Sequence, residues 1–235
     1  MEKLLYDDVF PKIRENYLRI IDNIENAKVN ANRSDDIRLM AVTKTVPAES
    51  VNYAIGLGIS LLGENRVQEF LDKRSDYSEA EVHFIGGLQT NKVKYIIDKV
   101  SMIHSVDSVH LAEEISRRAL NSGLVMDILV EINIGEEQTK GGIPAKQAED
   151  FCSRVSALDG VRVRGLMTIP PPGCDESVFA RMQELFQSLR TSKYIDKSKF
   201  DVLSMGMSGD YEKAVKYGAT IVRIGSGLFG QRKYI

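Results

Sequence analysis

From Arg38 to Ile224 the chain repeats one unit: a short apolar run, a turn, then an amphipathic stretch. The apolar runs fall near Leu39–Thr43, Ser60–Gly63, Val82–Ile85, Met102–Val106, Asp127–Ile134, Val163–Ile169, Val202–Met205 and Thr220–Ile224. Helical patterns lie between them, near Ala48–Leu57, Val67–Lys73, Lys92–Lys99, Val109–Asn121, Lys146–Ala157, Val178–Thr191 and Ser208–Tyr217. Strand and helix signals in strict alternation mark parallel βα units. Eight such units in about 200 residues predict a closed (β/α)8 TIM barrel. An open doubly wound sheet is the alternative, but no GxGxxG fingerprint follows the first run. Upstream, Phe10, Ile13, Tyr17, Ile20, Ile21 and Ile24 recur at helical spacing and predict an extra N-terminal helix. Residues 1–235 are expected to form one domain.

Composition removes several function classes. Lys and Arg total 31 against 33 Asp and Glu, a formal net charge of −2. Such a balance exerts no global pull toward nucleic acid or an anionic membrane. No apolar run approaches the roughly 18 residues of a membrane span, and the acidic start Met1–Asp8 does not read as a signal peptide. Cys152 and Cys174 make neither a disulfide framework nor a metal cluster. His83, His104 and His110 lack metal-ligand spacing and read as core or surface histidines. A soluble, reducing, cytoplasmic setting without a metal is expected.

In a (β/α)8 barrel, chemistry collects where the strands end. The first run ends in Lys44. A lysine delivered by an apolar strand is partly desolvated, which disfavours the ammonium form and suits attack on a carbonyl. The plain alternative is a lysine that snorkels into solvent. The last run ends in Arg223-Ile224-Gly225-Ser226-Gly227. Glycines allow close backbone approach to an anion, and the loops after the seventh and eighth strands often hold phosphate. Ser208, read as opening the helix after the seventh strand, adds a hydroxyl. Arg223 shares a strand face with Gly225; if that face points inward, the guanidinium needs a partner. A carboxylate such as Glu64 or Asp107 is one choice, and a ligand acceptor is the other.

An amine nucleophile, a phosphate cradle and a fixed cationic donor match the aldehyde, phosphate and ring nitrogen of pyridoxal 5'-phosphate (PLP). The segments Ala41–Lys44, Gly63–Glu69, His83–Lys92, Gly165–Ile169, Leu203–Ser208 and Val222–Ser226 resemble the pyridoxal phosphate homeostasis proteins (YggS/PROSC-type). The match runs in order from about Arg38 to Gly230. The resemblance implies the fold of the alanine racemase N-terminal barrel and a Schiff base between PLP and Lys44. It also implies that Asn65 contacts the cofactor and that Arg223 faces the pyridine nitrogen. Ser208, Gly225 and Ser226 would hold the phosphate.

Arginine donates without yielding its proton, so a ring nitrogen beside it stays unprotonated and withdraws electrons poorly. The chain ends at Ile235, just after the eighth unit, leaving no residues for the second domain that supplies an opposing base in fold relatives. A monomeric, non-catalytic carrier is therefore expected, and the resemblance implies a role in PLP homeostasis that passes cofactor transiently to apo-enzymes. A racemase-like enzyme is the first alternative and a cofactor-free class I aldolase the second. The row Lys92, Lys94, Lys99 reads as a solvated face, able at most to dock an anion. Lys140, in the rim loop Gly135–Gly142, is a candidate for transient contact with cofactor in transit.

Overall fold

The computed structural model describes residues 2–137 and 141–231. Lys140 lies outside the described residues. Helix α1 (Glu2–Asn30) leads into β1 (Arg38–Val42), α2 (Ala48–Gly56), β2 (Leu61–Glu64), α3 (Val67–Lys73), β3 (Glu81–Phe84) and α4 (Val93–Ile96). Next come β4 (Met102–Val106), α5 (Val109–Asn121), β5 (Met126–Asn133), β6 (Ile143–Pro144), α6 (Ala148–Ser156), β7 (Val161–Met167) and α7 (Ser177–Arg190). The chain closes with β8 (Val202–Ser204), α8 (Tyr211–Lys216), β9 (Ile221–Ile224) and α9 (Ser226–Phe229).

The strands pair in parallel in the order β4-β3-β2-β1-β9-β8-β7-β5, and β4 also pairs with β5, which closes the barrel. This is the expected (β/α)8 architecture with its extra N-terminal helix. The short β6 adds to β5 outside the ring and was not foreseen. It returns the chain to the barrel after the β5 loop.

Two apolar layers follow from the period of two along each strand. Met40, Val42, Leu61, Ile85, Met102, Leu129, Met167, Val202 and Ile221 fill the barrel. The alternate residues, such as Leu39, Ala41, Leu62, Phe84 and Ile103, pack under the helices. In α1, Ile13, Ile20 and Ile24 are the buried stripe. Asn16 Nδ2 donates to the Leu228 carbonyl at 3.0 Å, and Asn23 Nδ2 donates to Tyr211 Oη at 2.9 Å. Helix α1 thus buttresses α8 and α9, the segments that frame the last strand's exit. No described helix is long and apolar enough to cross a membrane.

Candidate functional site

A cavity of about 330 Å³ opens at the C-terminal ends of the strands, lined by Val42, Lys44, Asn65, Ile85, Ile169, Met207, Ser208, Gly209, Arg223, Gly225 and Ser226. All six residues singled out in the sequence meet there: Lys44, Asn65, Ser208, Arg223, Gly225 and Ser226. Strand parity explains the convergence. Lys44 lies two residues beyond inward Val42, and Asn65 two beyond Gly63 on β2. Gly225 likewise follows Arg223 by two. Apolar walls from Val42, Ile85, Ile169 and Met207 suit a flat ring, and the volume is ordinary for a small-ligand site.

The turn that carries Lys44 is clipped from α3. The Thr45 amide donates to Glu69 Oε1. Lys73 Nζ donates to the Val46 carbonyl at 2.9 Å and to the Thr43 carbonyl at 3.4 Å, and pairs with Glu69. Thr45 itself sits at φ 62°. Behind the turn, Glu64 Oε1 accepts from Thr43 Oγ1 at 2.6 Å and from Tyr77 Oη at 2.7 Å. Burial raises the Glu64 pKa, against those two donors. Asn65 Oδ1 is buried with no hydrogen-bond partner among the described residues. At Gly86, a Cβ would stand 2.1 Å from the Asn65 carbonyl oxygen, so only glycine lets the ends of β2 and β3 approach so closely.

Opposite, the exits of β8 and β9 are knitted together. The Gly227 amide donates to Ser208 Oγ at 2.9 Å, and Ser226 Oγ lies 3.4 Å from the same oxygen. A Cβ on Gly227 would press on Ser208 Oγ at 3.1 Å, so glycine sets this spacing. Ser208 does not open a helix as expected. It lies in a turn, and α8 starts only at Tyr211, after Asp210 has accepted the Met207 amide at 2.6 Å.

Arg223 is inward and buried, 4% exposed, yet its partners are not the carboxylates weighed from sequence. Its Nη1 donates to Ser204 Oγ at 2.8 Å and its Nη2 to the Thr168 carbonyl at 2.7 Å. Glu64 is excluded by parity: it follows outward Leu62 and faces the helix layer. Asp107 is exposed, beyond the end of β4. Burial lowers the guanidinium pKa to about 10, with Glu131 and Asp210 pulling the other way.

Glu131 is the residue that sequence reading missed. It lines a smaller cavity with Ile132, Asn133, Gly141 and Ile169, and Ile169 belongs to both cavities. Burial, and then the charge of Asp107, raise its pKa to about 7, while Arg223 opposes them. The signal existed: Leu129, Glu131 and Asn133 alternate with Val130 and Ile132, placing a carboxyl on the inner face. Of the histidines, His83 and His104 are fully buried and His110 is exposed. Lys92 and Lys94 are exposed, and Lys99 pairs with Asp98. No metal-binding group of three or more ligating side chains occurs among the described residues.

Fold and site together define a parallel (β/α)8 barrel with an inward lysine set across a cavity from a glycine–serine turn. The chain belongs to the family described as "Alanine racemase, N-terminal domain", whose profile matches residues 16–233, and within it to the pyridoxal phosphate homeostasis proteins. It is 42% identical over 227 residues to the pyridoxal phosphate homeostasis protein of Aquifex aeolicus, covering 94% of this chain and 98% of that one. A crystal structure from Bifidobacterium adolescentis matches with TM-score 0.89 and 34% identity, over 95% of this chain and 96% of the other. PipY of Synechococcus elongatus, solved with PLP bound, matches with TM-score 0.78 and 30% identity, over 93% of this chain and 100% of the other.

Proposed function

We propose that this chain binds pyridoxal 5'-phosphate in the C-terminal cavity and serves PLP homeostasis by holding and releasing the cofactor. The observation that carries the reading is the single cavity lined by Lys44, Asn65, Ser208, Arg223, Gly225 and Ser226. The donor set fits the cofactor. Among the described residues Asn65 Oδ1 is buried and lacks a partner, Arg223 is a buried cation hydrogen-bonded to no carboxylate, and Ser208 and Gly227 form a narrow turn. A side-chain amide carries both an acceptor and a donor, so Asn65 can serve a hydroxyl or a phenolic oxygen equally.

Bound there, PLP supplies an aldehyde that a primary amine attacks. Lys44 would hold the aldehyde carbon covalently, its turn fixed by Glu69 and Lys73. Ser208, Gly225 and Ser226 would receive the phosphate, and Arg223 would donate to the ring nitrogen without giving up its proton. Val42, Ile85, Ile169 and Met207 would exclude water from the ring faces. Residues 1–235 then act as one cofactor-binding unit, as a monomer in the cytoplasm, with apo-enzymes as transient recipients. The names of the relatives support the homeostasis role.

One observation favours a second reading, racemase-like turnover: Glu131, a carboxyl with a pKa of about 7, sits beside the cavity and can exchange a proton near neutral pH. Two measurements test and separate these readings. Lys44→Ala should abolish the near-visible band formed with PLP and the mass adduct trapped by borohydride. Persistence of both would sink PLP attachment at this residue. Deuterium from solvent should not enter the Cα of amino acids; Lys44-dependent incorporation would favour the enzyme.

A further inference from the structure

Inside the barrel a line of polar side chains runs from the N-terminal end to Arg223. His83 Nε2 lies 2.7 Å from Glu81 Oε1, and His83 Nδ1 lies 2.9 Å from His104 Nε2. His104 Nδ1 is 3.1 Å from Ser204 Oγ, which receives the Arg223 Nη1 hydrogen bond. His83, His104 and Ser204 are 0% exposed. The cavity needs none of these three for its lining, and the proposed function leaves them without a role.

Proton counting gives the line a direction. Arg223 can only donate, so Ser204 Oγ must accept from it. At the far end, hydrogen bonds from His83 and then Arg38 hold Glu81 down to about 2, so it is a carboxylate and accepts from His83 Nε2. Burial lowers the pKa of both histidines, which keeps them neutral. Neutral His83 with its proton on Nε2 offers a bare Nδ1, so His104 Nε2 carries a proton. Neutral His104 then offers a bare Nδ1, and the Ser204 hydroxyl must donate to it. Every link donates toward Glu81.

We infer that Glu81, His83, His104 and Ser204 are positioning residues for Arg223. The directed chain turns the Ser204 lone pair toward the guanidinium, so the direction of Arg223 across the cavity is set from the opposite end of the barrel. Without His104 the Ser204 hydroxyl is free to rotate and can aim its proton at the cation instead. The buried charge of Arg223 would then rest on the Thr168 carbonyl alone. The effect on a bound ligand rests on the PLP reading of the cavity; the effect on Arg223 does not.

The test starts with ligand-free protein labelled with ¹⁵N. Long-range ¹H–¹⁵N spectra should show His83 and His104 neutral and protonated on Nε2 at neutral pH. A cationic His83, or a proton on either Nδ1, overturns the directed chain. Glu81→Leu removes the terminal acceptor at a partly exposed position. It should mix the histidine tautomers and move the Arg223 Nε–H resonance, and an unmoved resonance overturns the proposal even if PLP binds nowhere. For the ligand, His104→Leu should raise the PLP dissociation constant roughly tenfold, the size of one lost hydrogen bond to a charged group. His104→Asn keeps an acceptor near the Nδ1 position and should recover most of that affinity. Wild-type affinity in both Ser204→Ala and His104→Leu overturns positioning. Failure of the wild type to take PLP, with tautomers and resonance shift as expected, supports the chain and sinks only the reading of the cavity.

Discussion

The two ends of the barrel carry cavities of similar size but use charge in opposite ways. The larger lies at the N-terminal end, about 400 Å³, lined by residues that include Asp35, Asp36, Arg38, Glu81, Asp127, Arg164 and Asp201. There the charges satisfy one another. Arg164 bonds Asp201 through two nitrogens and also reaches Asp127, Arg162 pairs with Asp127, and Arg38 pairs with Glu81. Burial works against the Arg164 charge, but the two carboxylates outweigh it and raise its pKa. At the C-terminal end, among the described residues, Arg223 is hydrogen-bonded to no carboxylate and Asn65 keeps a buried acceptor without a partner, while Glu131 is pushed toward neutrality. One end closes its electrostatics internally, while the other leaves its donors and acceptors for something else. Cavity volume alone would point to the N-terminal end.

The sharpest way to break this contrast is to remove one arginine from each end. Arg223→Leu should weaken PLP binding by roughly a hundredfold, because a charge-assisted hydrogen bond contributes about 1.5–3 kcal/mol and the emptied region loses its cation as well. Arg164→Leu should cost about 1–2 kcal/mol of folding stability and leave PLP affinity within about twofold, since Arg164 bonds Asp127, Asp201 and the Lys199 carbonyl and no member of the line from Glu81 to Arg223. Spectroscopic titration with PLP and urea unfolding of both variants decide the matter. Equal losses of affinity in the two would erase the distinction between the ends.

The ends should also titrate in opposite senses. Glu131 has a folded pKa of about 7, above the ordinary 4.5. Its contribution to stability is complete below about 4.5 and is lost as pH rises through 7. Glu81 has a folded pKa of about 2, below the same 4.5, so its contribution is present above 4.5 and is lost as pH falls toward 2. From pH 5 to pH 8 the wild type should therefore lose about 2 kcal/mol more than Glu131→Gln, allowing for partial solvent screening. Glu81→Gln should flatten only the acid limb. Urea denaturation across the range measures both slopes, and a Glu131→Gln profile parallel to the wild type would contradict the buried, neutral carboxyl.

Much of this asymmetry was legible in the sequence, for a specific reason. A period of two carries Lys44 and Arg223 inward once their strands are recognised, and the Gly225–Gly227 turn marks the exit of the last one. What stayed hidden depends on register between strands. His83 pairs with Met102 across β3 and β4, which places His104 one inward step further along and within reach of His83 Nδ1. No local pattern states that register, so the histidines read as separate core residues. The Arg223 partners were missed for the same reason, because Ser204 and Thr168 come from strands far away in the chain. Glu131 was overlooked because its run was read for apolar content when alternation was the informative property. Ser208 was placed too early in its helix because the bond from the Met207 amide to the Asp210 carboxylate, which holds the turn ahead of α8, is a side-chain contact that periodicity does not reveal.

The smallest effect concerns strain, which also distinguishes the ends. Among the described residues three non-glycine positions have positive φ: Asn32, Thr45 and Glu136. Asn32 follows α1, where asparagine tolerates the left-handed region well. Thr45 is β-branched, for which φ 62° costs about 1–2 kcal/mol, and it stands directly after Lys44 at the C-terminal end. The Glu69 carboxylate and the Lys73 ammonium hold the turn in that state. Thr45→Gly should relieve the strain, and because glycine also enlarges the unfolded ensemble the net gain should be only about 0.5 kcal/mol. The same change frees the lysine's turn, so bound PLP should dissociate several-fold faster. Urea midpoints at constant slope, with the decay of the bound chromophore after dilution, measure the two quantities together. Lower stability with unchanged dissociation would mean that the turn is held by packing alone and that its strain plays no part in presenting Lys44.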